Sequence, residues 1–412
     1  MKYNTHTLDN GLRIIHLPSD SKVVYCGYQI NAGTRDEEPG EEGLAHFCEH
    51  VTFKGTERRK AWHILNCLES VGGDLNAYTN KEGTVYYSAI LKEHIARAVD
   101  LLSDIVFHSV YPQAEIDKEV EVICDEIESY NDSPAELIYD EFENILFKDS
   151  SLGHNILGTA EQVRSFTTED ALRFTRKLYR PDNAIFFAYG DIDFKKLVKL
   201  VRRALADDDS GKLAAEKLPE NYPSVGKEIA GQTIVMQKNT HQAHVMIGTR
   251  AYDVNDDRRM PLYLLNNILG GPGMNAKLNL ALREHNGLVY TVESTMVAYG
   301  DTGTWSIYFG CDEHDIKRCL RLVRKELDRM MEKPLSDSQL KAAKKQIKGQ
   351  IGVACDNREN FALDFGKSFL HYGWEKNVDC LYEQVEAITS QQIQDVAREL
   401  FDKNRLITLI FK

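Results

Sequence analysis

Two stretches of this chain, far apart in sequence, read alike. Phe166 to Gly190, FTTEDALRFTRKLYRPDNAIFFAYG, has its counterpart at the far end, Ile388 to Lys412, ITSQQIQDVARELFDKNRLITLIFK. Each reads as a helix entered through a Thr or Ser cap, a short turn and an apolar strand. An earlier pair matches as well. LPSDSKVVYCGYQINAGTRDE, from Leu17, resembles QKNTHQAHVMIGTRAYDVND, from Gln237: a polar turn, an apolar strand and a Gly/Thr/Arg exit. Because the pairs recur in the same order, the simplest account of 412 residues, too many for one ordinary core, is a duplicated unit of about 200 residues. The polar run DDDSGKLAAEKLPENYPSV, from Asp207, has no apolar periodicity and contains Gly211, Pro219 and Pro223. The expected division is therefore an N-terminal domain 1–210, a linker 211–225 and a homologous C-terminal domain 226–412. GTVYYSAIL, from Gly83, and GTWSIYFG, from Gly303, are β-rich, whereas Ile116, Val120, Ile123 and Ile127 form a helical stripe. The expected class is α+β, with two duplicated domains, each an antiparallel-rich mixed sheet covered by helices on one face.

Charge narrows the function. Fifty basic against 63 acidic side chains give a net charge of −13, a poor match to nucleic acid and a better one to basic peptides. No segment approaches the roughly 20 apolar residues of a membrane span. The N-terminus lacks the apolar stretch of a signal peptide and the Arg-rich pattern of a presequence. The eight cysteines are scattered without a Cys-x-x-Cys, which reads as reduced thiols in a cytoplasmic protein.

The chemistry concentrates in GLAHFCEHVTFKGT, from Gly43. On a helix His46 and His50, at i and i+4, share a face and can hold one zinc ion through their imidazoles. Glu49 stands beside that face, able to reach a metal-activated water without ligating. This is the inverted order of the His-Glu-x-x-His signature. Catalytic zinc takes three protein ligands and keeps a position open. In KEVEVICDEIESYNDSP, from Lys118, Asp125, Glu126 and Glu128 compete for the third place. Glu119 and Glu126, seven apart, share a helix face. That spacing suits one carboxylate on the metal and one orienting a ligand from behind.

HFCEH, followed 76 residues later by a Glu within an E-x6-E pattern, resembles the insulysin/pitrilysin family of zinc peptidases, in its short members such as mitochondrial processing peptidase and bacterial relatives. The resemblance extends over DNGLRI, HVTFKGT, GGDLNAYTNKE and LGGPGMNAKLNLALREHNGLVYTV. It implies zinc, one ion per chain, on His46, His50 and Glu126. Glu49 would be the general base and Glu119 the supporting carboxylate. The strand holding Asn76, Ala77 and Tyr78 would be an edge onto which an extended peptide substrate adds. Arg283 would bind a substrate carbonyl and Tyr290 the oxyanion. Because family members complete a site with the Arg/Tyr pair of a facing protomer, the resemblance implies a homodimer with composite sites, a heterodimer being the alternative. Glu136 and Asp140 resemble an acidic pair that recognises an Arg near the cut. A non-catalytic structural or partner subunit on the same fold is the rival reading.

Overall fold

The computed structural model describes residues 1–206, 222 and 225–412. Apart from Tyr222 and Val225, the expected linker 211–225 lies outside the described residues. In chain order the first half runs β1 (Asn4–Thr7), β2 (Arg13–Pro18), β3 (Val23–Ile30), α1 (Leu44–Thr52), α2 (Ala61–Glu69), β4 (Asp74–Thr79), β5 (Thr84–Leu91), α3 (Ile95–Phe107), α4 (Gln113–Asn131), α5 (Pro134–Leu146), α6 (Ala160–Val163), α7 (Thr168–Leu178), β6 (Ala184–Gly190) and α8 (Phe194–Ala204). The second runs β7 (Thr233–Met236), β8 (Ala243–Ala251), α9 (Arg259–Gly270), β9 (Val289–Ala298), β10 (Gly303–Cys311), α10 (Ile316–Glu332), α11 (Asp337–Cys355), α12 (Arg358–Tyr372), α13 (Val378–Ala387), α14 (Ser390–Leu400) and β11 (Ile407–Phe411).

The duplication is written in the sheets. One has strand order β1-β2-β6-β3-β5-β4, the other β7-β11-β8-β10-β9. In each, one pair is parallel, β2 with β6 and β11 with β7, and the neighbours beyond it are antiparallel. The fold is thus α+β with two mixed, mainly antiparallel sheets. The matched helices α7 and α14 start alike: Thr167 with Asp170, and Thr389 with Gln392, form reciprocal capping boxes.

Two compact units carry these sheets. The first comprises Met1–Glu128, the described part of His154–Asn221, and Ala354–Asn377. The second comprises Ser129–Gly153, the described part of Tyr222–Val353, and Val378–Lys412. Each half of the chain thus lends one helix to the other's unit: α5 packs on β8 and β11, and α12 on β3 and β6.

In the first unit, the period of two along β3 divides its side chains between the faces. Tyr28 faces α3, where its hydroxyl is 2.7 Å from Ser103 Oγ. Gln29 points the opposite way and donates to Leu363 O of α12 at 2.8 Å. The main core lies between the sheet and α1, α3 and α4, while α12 covers the reverse face through contacts such as Phe187 with Phe365. The β4–β5 turn is pinned from below. Thr34 and Arg35 donate backbone N–H groups to Asn80 O and Lys81 O, and the Arg35 guanidinium meets Glu82 Oε1 at 2.7 Å in the interior. Gly33 is required there, because a Cβ would come within 2.4 Å of Asn80 O.

Candidate metal centre

The helix α1 buries Leu44, Ala45, Phe47, Cys48 and Val51 in the core, which turns His46, Glu49 and His50 to the other side. Its start is fixed by Gly43, whose φ of +96° suits a residue without Cβ. Glu37 accepts from Gly43 N at 3.1 Å and Ala45 N at 2.8 Å, placing a carboxylate on the positive end of the helix. His154 Nε2 stands 2.8 Å from the same carboxylate. Burial raises the Glu37 pKa, against the pull of these hydrogen bonds.

The two imidazoles lie with ring centroids 4.7 Å apart. Glu126, from α4, closes the triangle. Its Oε2 is 3.2 Å from His50 Nε2 and its Oε1 3.8 Å from His46 Nε2. One ligand atom from each of these three residues lies within 4.8 Å of the other two. Asp125 and Glu128, the competing carboxylates, are exposed and outside this group. Behind His50, Glu119 Oε1 is 3.0 Å from Nδ1, and Lys54 Nζ is 2.5 Å from Glu119 Oε2. Glu49 is buried, and its Oε2 accepts from Thr79 Oγ1 at 2.6 Å.

The electrostatics separate the two histidines. Burial, then the neighbouring His50 charge, lowers His46 to about 4, so it is neutral and ready to ligate. Burial also opposes the charge on His50, but hydrogen bonds to Glu119 and Glu126 outweigh it and raise the pKa to about 9. Glu119 is held below its ordinary value: burial pushes it up, and the bonds from His50 and Lys54 more than compensate. Burial raises Glu49.

Two neutral imidazoles and one carboxylate are the donor set of a catalytic zinc, three protein atoms with a position left open. The arrangement here fits: the Nε2 atoms and the Glu126 oxygens converge, and the Glu126 side chain is 46% exposed, so the remaining side of the triangle is open. With Glu119 occupying His50 Nδ1, Nε2 is the nitrogen that would be left to a metal. His46 Nδ1, by contrast, is buried with no partner among the described residues. Because His50 must lose its proton to ligate, zinc and proton compete for it. The apparent zinc affinity should therefore weaken about tenfold per pH unit as pH falls from about 9 toward 6.5. Chelator competition across that range checks this, and a flat profile contradicts it.

Other expected site residues fall as follows. Asn76, Ala77 and Tyr78 lie on β4, an edge strand of the six-stranded sheet. Glu136 and Asp140 are one turn apart on α5, in the second unit. Arg283 and Tyr290 are together in that unit. Arg283 sits in a π-helical turn, Asn279–Glu284, and its guanidinium lies 5.4 Å from the Tyr290 ring. Tyr290, near the start of the edge strand β9, is 81% exposed. Sequence reasoning missed Lys54, Glu37 and the Thr79 bond to Glu49. Lys54 lies in the turn just after α1 and reaches Glu119 of α4 from there. These contacts link segments whose meeting no local pattern records.

Comparison with known proteins identifies the family. Residues 14–160 match the family described as Insulinase (Peptidase family M16), and residues 165–347 match Peptidase M16 inactive domain. A protein of Streptomyces coelicolor named as an uncharacterized zinc protease is 32% identical over 409 residues, covering 98% of this chain and 88% of its own. One of Bacillus subtilis with a similar name is 30% identical over 407 residues, covering 98% and 97%. The crystal structure of a protease from Helicobacter pylori superposes with a TM-score of 0.89 at 21% identity, covering 100% of this chain and 99% of that one. With a relative this similar spanning nearly the whole length, the chain belongs to the insulinase family of peptidases, family M16, among its short members.

Proposed function

We propose that this protein is a zinc-dependent endopeptidase that hydrolyses peptides or unfolded polypeptides held in the extended conformation. The observation that carries the reading is the convergence of His46, His50 and Glu126 beside a buried Glu49. Zinc held by those three residues supplies Lewis acidity toward water and toward a peptide carbonyl. Glu49 accepts the proton of the attacking water and delivers it to the leaving nitrogen. Glu119, backed by Lys54, keeps His50 in the tautomer that presents Nε2. A substrate strand pairs along Asn76, Ala77 and Tyr78 of β4, main-chain bonds giving affinity without demanding sequence. Tyr290 donates to the tetrahedral oxyanion and Arg283 to a substrate carbonyl. Glu136 and Asp140 favour a basic residue two positions before the cut.

In this reading the Arg283/Tyr290 pair comes from a second copy of the chain, and two composite sites share a chamber. The complete donor set argues against the non-catalytic subunit. Among the described residues no helix is long and apolar enough to cross a membrane, and all eight cysteines are free, which suits the reducing cytoplasm.

Metal analysis together with cleavage of a quenched peptide library tests the chemistry. Folded protein that refuses micromolar zinc, or that cleaves nothing when loaded, rejects the reading. The dimer has its own test. Glu49→Gln and Tyr290→Phe variants, each inactive alone, should recover about a quarter of wild-type activity when mixed and allowed to exchange, because half the dimers then hold one intact site. No recovery under proven exchange places the whole site within one chain.

A further inference from the structure

The edge strand and the general base meet at one hydroxyl. Thr79 is the last residue of β4, and its Oγ1 donates to Glu49 Oε2 at 2.6 Å. Among the described residues no second donor reaches this carboxylate. Glu49 is a flexible side chain next to a metal ligand. Freed, its carboxylate could swing onto the metal or away from the substrate.

Thr79 itself is held on every side. It pairs with Thr84 on β5, whose hydroxyl lies 3.4 Å away and is committed to Ala32 O at 2.8 Å. The next residue, Asn80, bonds through its N–H to Gly83 O, accepts from Thr34 N, and begins the turn pinned by Arg35 and Glu82. A β-branched side chain on such a backbone has little rotamer freedom. Its hydroxyl is therefore delivered to a fixed point in space, and that point is one oxygen of the base.

We propose that Thr79 is a positioning residue for Glu49, leaving one carboxylate oxygen free to take the proton while tying the base to the strand on which the substrate pairs. The inference rests on the peptidase reading and deepens it. Strand pairing and proton transfer share one rigid segment, so a peptide in register on β4 is also in register with the base.

Thr79→Val keeps shape and removes the donor. It should lower kcat about 10–100-fold, the usual effect of a small misplacement of a reacting group. KM should stay within about twofold, because only the base is displaced. Thr79→Ser should recover most of the loss. A crystal structure of Thr79→Val should show the Glu49 carboxylate moved or in several rotamers. Wild-type kcat in Thr79→Val, an equal loss in Val and Ser, a raised KM at unchanged kcat, or an unmoved Glu49 carboxylate each overturn the proposal. Should Thr79→Val fail to fold, Thr79→Ala read against Thr79→Ser carries the same comparison. A parallel Glu49→Gln control separates the two failures: if that variant cleaves normally, the peptidase mechanism is wrong, whatever Thr79 does.

Discussion

Glu49→Gln is expected to lower kcat by about 10²–10⁴-fold, the span over which a positioned acid–base group contributes, while the protein becomes slightly more stable. The two effects have one origin. Glu49 is buried, and burial raises its pKa. An acid whose folded pKa lies above its unfolded value costs stability as pH rises through the unfolded pKa and toward the folded one. That cost is carried wherever the buried carboxylate is charged, and the neutral amide removes it. The amide oxygen still accepts from Thr79, so the side chain keeps its place. The measurement is a peptide assay beside a thermal melt at pH 7 in the absence of metal, together with zinc affinity by chelator competition. Normal turnover would remove Glu49 from the chemistry. A lowered Tm would show that the carboxylate is there for the fold.

The largest effect on stability should come from the pair beneath the β4–β5 turn. The side chains of Arg35 and Glu82 are 0% and 6% exposed and 2.7 Å apart. Removing one partner takes this ion pair away from a charge that stays in the interior, at a cost of about 3–5 kcal/mol. Arg35→Met or Glu82→Leu alone should each lower the unfolding free energy by that much, read as a fall in the urea midpoint at unchanged m. The double replacement should recover a large part of it, because two apolar side chains of similar volume bury no charge. Urea titration of the three variants decides the matter, and additive losses in the double variant contradict the argument. Peptidase activity should fall in the single variants as well, since the turn holds Thr79 and thereby Glu49.

The sequence revealed the duplication because caps and turns are local chemistry. Thr167 and Thr389 announce equivalent helices before any tertiary structure is considered, and the strands that follow take equivalent places in the two sheets. It revealed the two histidines for the same reason: four residues on a helix fix a shared face. Spacing alone left Asp125, Glu126 and Glu128 in competition, and only the family resemblance singled out Glu126, because their separation depends on how α4 is rotated against α1, which the packing of Ile116, Ile123 and Ile127 decides. The partners of Glu49 and Glu119 were illegible in part. Thr79 reaches Glu49 across 30 residues, and Lys54 meets Glu119 of α4 from the turn after α1. The destination of α5 and α12 was invisible, since an amphipathic pattern says which residues are covered and not which sheet covers them.

That last feature bears on what a cut in the chain can accomplish. A protease nicking between residues 206 and 225 would leave two pieces that remain clasped, each gripping a helix that belongs by sequence to the other. Neither piece could be peeled away without uncovering the apolar reverse of both sheets. The covalent join between the halves is thus the least of what unites them, and a half expressed alone would begin life with a bare sheet and an orphan helix.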